Sequence, residues 1–351
     1  MALPKLPTRK LGKNGPQVTA LGYGTMGLSA FYGTPKPDEE RYAVLDHVYK
    51  SGDLFWDTAD IYGDSEDLLG RWFKRNPGAR ENIFLATKFA NYVDPKTGER
   101  QIHNEPDYIR KAVDKSLKRL GIDQIDLYYC HRIQADQPIE VTVKVMKELQ
   151  DAGKIKYLGL SECSADTLRR ACKVAHIDAV QMEYSPFSLE IEEFGLLEAC
   201  RELGVATVAY SPLGRGFLTG SVQSPADFEE GDFRKFMPRF SPENFPKNLK
   251  LVEDLKTLAH EKGCTAGQLV LAFLIAQGDD IIPIPGTTKI KNFDENLDAL
   301  KVKITKEDLE KIRKAIKATQ VIGSRYPPNG TKGLLVDTVP LEEWSKTHPG
   351  E

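Results

Sequence analysis

The 351 residues are 40% hydrophobic and 28% charged, which excludes a disordered chain and leaves room for one large core or two ordinary domains. A net charge of −3 gives no basis for holding nucleic acid or an anionic membrane, and no apolar run approaches the roughly 18 residues that cross a bilayer. Five scattered cysteines (Cys130, Cys163, Cys172, Cys200 and Cys264) with no CxxC pair suit reduced thiols in a cytosolic protein rather than a zinc site, and Met1-Ala2-Leu3-Pro4-Lys5 lacks the apolar core of a signal peptide.

The chain opens with an expected hairpin, its turn supplied by Asn14-Gly15. A first strand over 18–24 precedes a helix over 38–51, and Leu54-Phe55-Trp56 leads into a second strand ending at Asp57. A third strand ends at Lys88; the next helix, over 106–120, has Pro at its start and Gly121 at its stop. The fourth strand, 125–131, ends at His131, and its helix covers 139–152. Strands five, six and seven are 155–161, 179–184 and 206–212. A loop rich in Gly, Pro and Phe (213–246) leads to helices over 247–261 and 265–276, an eighth strand over 280–286, and helices over 289–300 and 306–318 before an irregular tail.

Short apolar strands alternating with helices imply parallel strands with right-handed crossovers. An open doubly wound sheet would hold a dinucleotide on a Gly-rich turn after its first strand. Here Gly22-Tyr23-Gly24-Thr25-Met26-Gly27 is read as lacking the G-x-G-x-x-G spacing of that turn, and eight units in this length fit a closed barrel. The expected fold is α/β, a (β/α)8 TIM barrel forming one domain over 1–351, with an N-terminal hairpin, two extra helices and a C-terminal tail.

Active sites of such barrels lie at the C-terminal strand ends. Four polar residues fall there: Asp57, Tyr62, Lys88 and His131. Buried singly each is costly; together they can satisfy one another and move protons. Lys88 needs a counter-charge, and Asp57 is its candidate. An ammonium beside the phenol is expected to lower the Tyr62 pKa from its usual value of about 10, making it a general acid toward a carbonyl oxygen that His131 orients. Ser161, Gln181, Tyr210 and Gly286 end strands five to eight. The segment 213–220 has three glycines and Arg215, and 285–289 opens a helix beside Lys289. Both suit phosphate, so an extended phosphorylated ligand such as a dinucleotide is expected. His47, His103, His176, His260 and His348 have no comparable setting, and the Lys/Arg runs read as solvated helix faces.

Asp57-Thr58-Ala59-x-x-Tyr62-Gly63, the strand-end Lys88 and His131, Gly159-Leu160-Ser161, Tyr210-Ser211-Pro212-Leu213 and Pro285-Gly286-Thr287-Thr288-Lys289, in this order over nearly the whole chain, resemble the aldo-keto reductase superfamily. Glu162 after Ser161 and the compact loops resemble its fungal and plant branch of pyridoxal and auxin-induced-type reductases. The resemblance implies reduction of aldehydes or ketones, with Tyr62 as proton donor, Lys88 and Asp57 tuning it, and NADP(H) lying extended across the mouth. It further implies Tyr210 under the nicotinamide with Ser211 adjoining, Ser161, Gln181 and Glu162 at the carboxamide, and Leu213, Arg215, Gly216 and Leu218 over the pyrophosphate. Gly286, Thr288 and Lys289 would meet the 2′-phosphate end, Asn296 the adenine, and Thr25 and Met26 the ribose and substrate. Many relatives have Asn at the Glu162 position; a carboxylate accepts from the carboxamide NH2 but cannot donate to its oxygen.

Phe31, Tyr32, Trp56, Phe89 and Tyr92 are expected to line the pocket, which would suit pyridoxal or another small aromatic aldehyde. Substrate loops are expected at 90–105, at 213–246 and after 320, with residues 324–333 either across the pocket or below it. A rival reading is a cofactor-bound regulatory subunit like the β-subunits of potassium channels. A metal-dependent hydrolase would need an HxH pair or clustered carboxylates at strand ends, which the sequence lacks.

Overall fold

The computed structural model describes residues 3–347; Met1, Ala2 and His348 lie outside the described residues. Strands β1 (Thr8–Lys10) and β2 (Gln17–Thr19) form the antiparallel N-terminal hairpin. The chain continues through β3 (Tyr23–Gly24), α1 (Asp38–Lys50), β4 (Phe55–Asp57), α2 (Ser65–Arg75) and β5 (Phe84–Phe89). A second hairpin, β6 (Asn91–Val93) and β7 (Arg100–Ile102), precedes α3 (Pro106–Leu120), β8 (Ile125–Cys130), α4 (Ile139–Asp151), β9 (Ile155–Ser161) and α5 (Ala165–Val174). Then come β10 (Ala179–Glu183), α6 (Glu190–Glu193), α7 (Leu196–Leu203), β11 (Ala206–Tyr210), α8 (Phe245–Lys262) and α9 (Ala266–Ile275). The last elements are β12 (Ile281–Pro283), α10 (Ile290–Asp298), α11 (Lys306–Thr319), α12 (Pro328–Thr331) and α13 (Leu341–Ser345).

Among the described residues β3, β4, β5 and β8 to β12 form one parallel sheet in chain order. The sheet closes on itself where Gly22 N–H donates to Pro283 O (2.9 Å), Gly24 N–H to Pro285 O (3.3 Å), and Gly24 bridges Gly286. Glycine is required at this seam: a Cβ on Gly286 would stand 2.7 Å from the Gly24 carbonyl. Gly22, Gly24 and Gly27 do carry the spacing of a G-x-G-x-x-G turn, yet no α-helix opens on it. A short 3-10 turn (Met26–Leu28) follows, and α1 begins only at Asp38. The expected strand over 18–24 is divided: Val18 and Thr19 pair in the hairpin, and only Tyr23 and Gly24 enter the barrel. The hairpin lies at the closed end, where Leu11 and Val18 pack against the inner core.

Alternation along the strands decides what faces inward. Phe55, Ala86, Leu127, Tyr129, Ala179, Val208 and Ile282 fill the barrel. One residue out of phase, Trp56 packs on Trp72 (ring centroids 4.9 Å) and Phe89 stacks on Tyr128 (5.0 Å), both in the layer between strands and helices. They do not line the mouth as expected, because each adjoins an inward charged residue, Asp57 or Lys88. The tail after α11 crosses the mouth rather than packing below it. Arg325 reaches Glu162, and Val336 exchanges backbone hydrogen bonds at the end of β9. No described helix is long and apolar enough to cross a membrane.

Candidate active site

Asp57 ends β4, Lys88 is the last residue but one of β5 and His131 directly follows β8, all in the same inward phase, so the barrel brings them together without any special loop. Lys88 Nζ donates to Asp57 Oδ1 at 2.5 Å and to the Thr58 carbonyl at 2.7 Å, while Gln181 Nε2 donates to Asp57 Oδ2 at 2.8 Å. Lys88 is fully buried. Tyr62 stands on the turn after β4. Its ring lies 5.0 Å from Lys88 Nζ and edge-on to His131, with centroids 5.7 Å apart. Arg119 fastens this turn by donating to the Asp60 and Gly63 carbonyls. Thr25, fully buried, spends its hydroxyl on the Asp57 carbonyl (3.0 Å) and Ser65 (3.0 Å), so it braces Asp57; Met26 begins the adjoining 3-10 turn.

The protons follow from burial. Desolvation, reinforced by the Asp57 carboxylate, holds the Tyr62 phenol well above its ordinary value, against the lowering expected from Lys88. The reason is geometric: Lys88 Nζ points at Asp57 and Thr58 and meets the tyrosine over its ring. Burial pushes the Asp57 carboxyl up and the Lys88 ammonium down, each opposed by the other's charge. His131 is held well below its ordinary value by burial and then by Arg132, Lys88 and Arg100, so its imidazole is neutral near pH 7. Its Nδ1 is buried without a hydrogen-bond partner among the described residues. The corner thus offers a protonated phenol, a neutral imidazole with a spare polar atom, and a lysine–aspartate pair, a set able to protonate and orient a carbonyl oxygen.

The other half of the mouth is built differently. Glu162, with φ of +55°, accepts from Arg325 Nη1 (2.9 Å) and Nη2 (3.1 Å) and from the Tyr210 hydroxyl (2.7 Å). Both its oxygens are engaged, so in this arrangement it anchors the tail. Arg215 also departs from its expected place. It turns inward, pairs with Glu183 at 3.2 Å and lies 4.8 Å over the Tyr326 ring. Around it, Gly214, Gly216, Phe217, Leu218, Thr219 and Gly220 spend their N–H groups on carbonyls of the same loop, including those of Ser211 and Leu213. Ser161 Oγ lies 3.5 Å from Arg132 Nη1. Phe31, Glu162, Ser211 and Arg215 all hold positive φ, and this backbone strain of about 1–3 kcal/mol per residue gathers at the mouth.

On the β12 side, Gly286 is committed to the barrel seam, while Thr288 and Lys289 are exposed and Asn296 is buried on α10. Helix α10 starts with no side-chain cap and no acidic residue in its first turn. An electropositive helix end beside Lys289 and Lys291 fits a phosphate, so these residues suit the phosphomonoester of a dinucleotide.

Four residues at the mouth escaped the sequence: Arg132, Arg100, Arg325 and Tyr326. Arg132 follows His131 directly, where an arginine after a buried strand was a signal; its side chain is buried (7% exposed). Arg325 and Tyr326 fall in the segment 324–333 expected either across the pocket or below it, and Arg100 in the expected substrate loop 90–105, but none was given a role of its own.

A profile of the Aldo/keto reductase family matches residues 20–317. The chain is 53% identical over 340 residues to "Aldo-keto reductase yakc [NADP(+)]" of Schizosaccharomyces pombe, covering 96% of this chain and 99% of that protein. It is 48% identical over 345 residues to "Aldo-keto reductase str7" of Strobilurus tenacellus, covering 96% and 99%. Among solved structures, the glycerol dehydrogenase AKR11B4 from Gluconobacter oxydans shares the fold with a TM-score of 0.80 at 24% identity, covering 92% of this chain and 98% of that one. A thermostable aldo-keto reductase, Tm1743, solved with the inhibitor epalrestat, matches with a TM-score of 0.70 at 29% identity, covering 88% and 100%. With strand-end residues, barrel and relatives in agreement, this chain belongs to the aldo/keto reductase family.

Proposed function

We propose that the whole chain acts as one barrel enzyme, an NADP(H)-dependent reductase that converts aldehydes or ketones to alcohols. The observation that carries this reading is the convergence of Tyr62, His131 and the Lys88–Asp57 pair at one mouth. The name of the yakc relative includes NADP(+), which supports the cofactor. Tyr210, Gln181 and Ser161 would hold its nicotinamide end, and Lys289, Thr288 and the start of α10 its phosphate end. When bound, the cofactor supplies a hydride to the carbonyl carbon. His131 donates a hydrogen bond to the carbonyl oxygen from its neutral ring, which fixes the substrate's orientation. The phenol of Tyr62 keeps its proton until the oxygen becomes an alkoxide, a stronger base than phenolate, and then gives it up. Lys88, held by Asp57 with its Nζ 5.0 Å from the Tyr62 ring centroid, is a cation that the phenolate would face once the proton has left.

Phe31 packs edge-on to Tyr62 (6.2 Å) and against Phe233 (5.9 Å), an apolar wall that suits a small aromatic aldehyde such as pyridoxal. The five cysteines are free thiols, as befits a reducing compartment such as the cytosol.

The test is consumption of NADPH with a panel of aldehydes and ketones, alongside Tyr62→Phe. Turnover should fall by about 10²–10⁴-fold in the variant while cofactor binding, read by fluorescence, survives. Undiminished turnover in Tyr62→Phe would remove the tyrosine from the mechanism. Tight NADPH binding with no carbonyl reduced would favour the regulatory-subunit reading instead.

A further inference from the structure

Beside His131 lies a buried cation with no counter-ion. Among the described residues the polar partners of Arg132 are the His131 carbonyl (2.7 Å), the Ser161 hydroxyl (3.5 Å) and the Tyr326 hydroxyl (3.4 Å), and no carboxylate pairs with it. Buried arginines elsewhere in the mouth are paired: Arg215 with Glu183, Arg325 with Glu162, and Arg239 with Glu183 and Glu190. Glu162, a carboxylate whose charge acts on Arg132, is already spent on Arg325. Arg100, on β7, adds a second charge to the same region. Its Nε and Nη2 donate to Asn91 Oδ1 (3.0 and 2.5 Å), and no carboxylate pairs with it either.

Removing a guanidinium from water without a counter-charge is costly, and the fold does it beside the reacting corner. The residue is also packed in place. A Cβ on Gly333 of the tail would stand 3.2 Å from Arg132 Cδ, so glycine there lets the tail lie against the arginine stem. The local field already favours negative oxygen. Although burial alone pushes the Tyr326 phenol up, Arg215 and Arg132 bring it below its ordinary value. The cations lie over β5 to β8, away from the α10 end where the cofactor's phosphomonoester would sit.

We propose that the carbonyl substrate carries an anionic group, a carboxylate or a phosphate monoester, which docks on Arg132 with Arg100 beside it while the carbonyl meets Tyr62 and His131. A planar guanidinium recognises either anion through two parallel N–H···O bonds. Arg132 is then a specificity-determining residue, and a neutral substrate of the same shape leaves it unpaired. This inference rests on the reductase reading above.

Three aldehydes of similar shape test it: 4-carboxybenzaldehyde, 4-formylphenyl phosphate and the neutral methyl 4-formylbenzoate. One or both anionic aldehydes should be preferred over the ester by about 100-fold or more in kcat/KM. Which of the two wins identifies the anion. In Arg132→Gln that preference should shrink to a few-fold, and in Arg100→Gln it should shrink by less, with the KM for NADPH unchanged. Reduction of all three without preference would overturn the proposal while leaving the reductase reading intact. So would an Arg132→Gln variant that weakens NADPH equally with every substrate, since the arginine would then serve the cofactor. If none is reduced, the wider panel of aldehydes and ketones judges the reductase reading, and calorimetry with 4-(hydroxymethyl)benzoate and 4-(hydroxymethyl)phenyl phosphate decides the anion site alone. Binding of either that Arg132→Gln abolishes upholds the anion site, and absence of binding sinks it.

Discussion

The two halves of the barrel mouth hold their charge in opposite ways. Over β9 to β11 and the tail, Arg215, Arg239 and Arg325 face Glu162, Glu183 and Glu190, and every one of these groups is ion-paired. Over β4 to β8, Lys88 has Asp57, while among the described residues neither the buried Arg132 nor the more exposed Arg100 has a carboxylate, and it is Arg132 that carries the desolvation cost. A balanced network holds a segment of chain in place, as the tail is held. An unbalanced one stores desolvation cost that a ligand can relieve. The first half reads as structure and the second as chemistry, although both are made of the same residue types at the same strand ends.

Breaking the Lys88–Asp57 pair should have the largest effect. Lys88→Met leaves Asp57 buried without its cation, and a loss of about 3–5 kcal/mol is expected in urea unfolding, together with loss of turnover. Adding Asp57→Leu should return part of the stability and none of the activity. A single variant as stable as the parent would show that the pair is not tightly held.

In the balanced half, Glu162→Gln removes the partner of Arg325 and of the Tyr210 hydroxyl. Arg325 keeps contacts with Glu183 and Glu190, at 3.8 and 3.3 Å, so the expected loss is about 2 kcal/mol. Limited proteolysis should cut the tail beyond residue 320 faster than in the parent. Unchanged cleavage would mean that the ion pair does not fasten the tail.

A carboxyl outside the mouth supplies the reference. Asp53, fully buried at the start of β4, meets only neutral groups, the Thr19 hydroxyl (3.0 Å) and the Phe55 N–H (3.3 Å). Burial pushes its pKa up to about 8, and those two hydrogen bonds offset only part of the rise. Its unfolded value is about 4, so its contribution to stability is complete below that pH and is lost as pH rises through about 8. Asp53→Asn should flatten this slope and leave the variant more stable at pH 9 by on the order of 1 kcal/mol. Parallel melting curves for parent and variant from pH 5 to pH 9 would show that Asp53 is ionised in the fold.

The strand ends were legible because period-two alternation and the cost of buried charge act within a few residues. Asp57, Lys88 and His131 could be placed inward from their own strands. The same alternation, applied to Trp56 and Phe89, would have sent both outward; their aromatic character drew them into the pocket instead. The second hairpin had its signal in Asp94-Pro95-Lys96-Thr97-Gly98, where Asp94 Oδ1 accepts from the Lys96 N–H. The pairing of Glu162 with Arg325 was not foreseen because the two lie 163 residues apart. Arg132 drew no reading from the sequence, because the tail that encloses its side chain is remote along the chain. Local chemistry was visible, and distant pairing was not.

That remoteness also bears on how the protein is made. Arg325 leaves the ribosome 163 residues after Glu162. At roughly 5–20 residues per second, the interval is on the order of ten to thirty seconds. During it, the eight strands and their seam at Gly286 can already be present, while Glu162 has no guanidinium to receive it. A nascent chain arrested before Arg325 would therefore display an open vestibule with Glu162 hydrated. The segment that fastens Glu162 is thus added only after every strand of the barrel has been made.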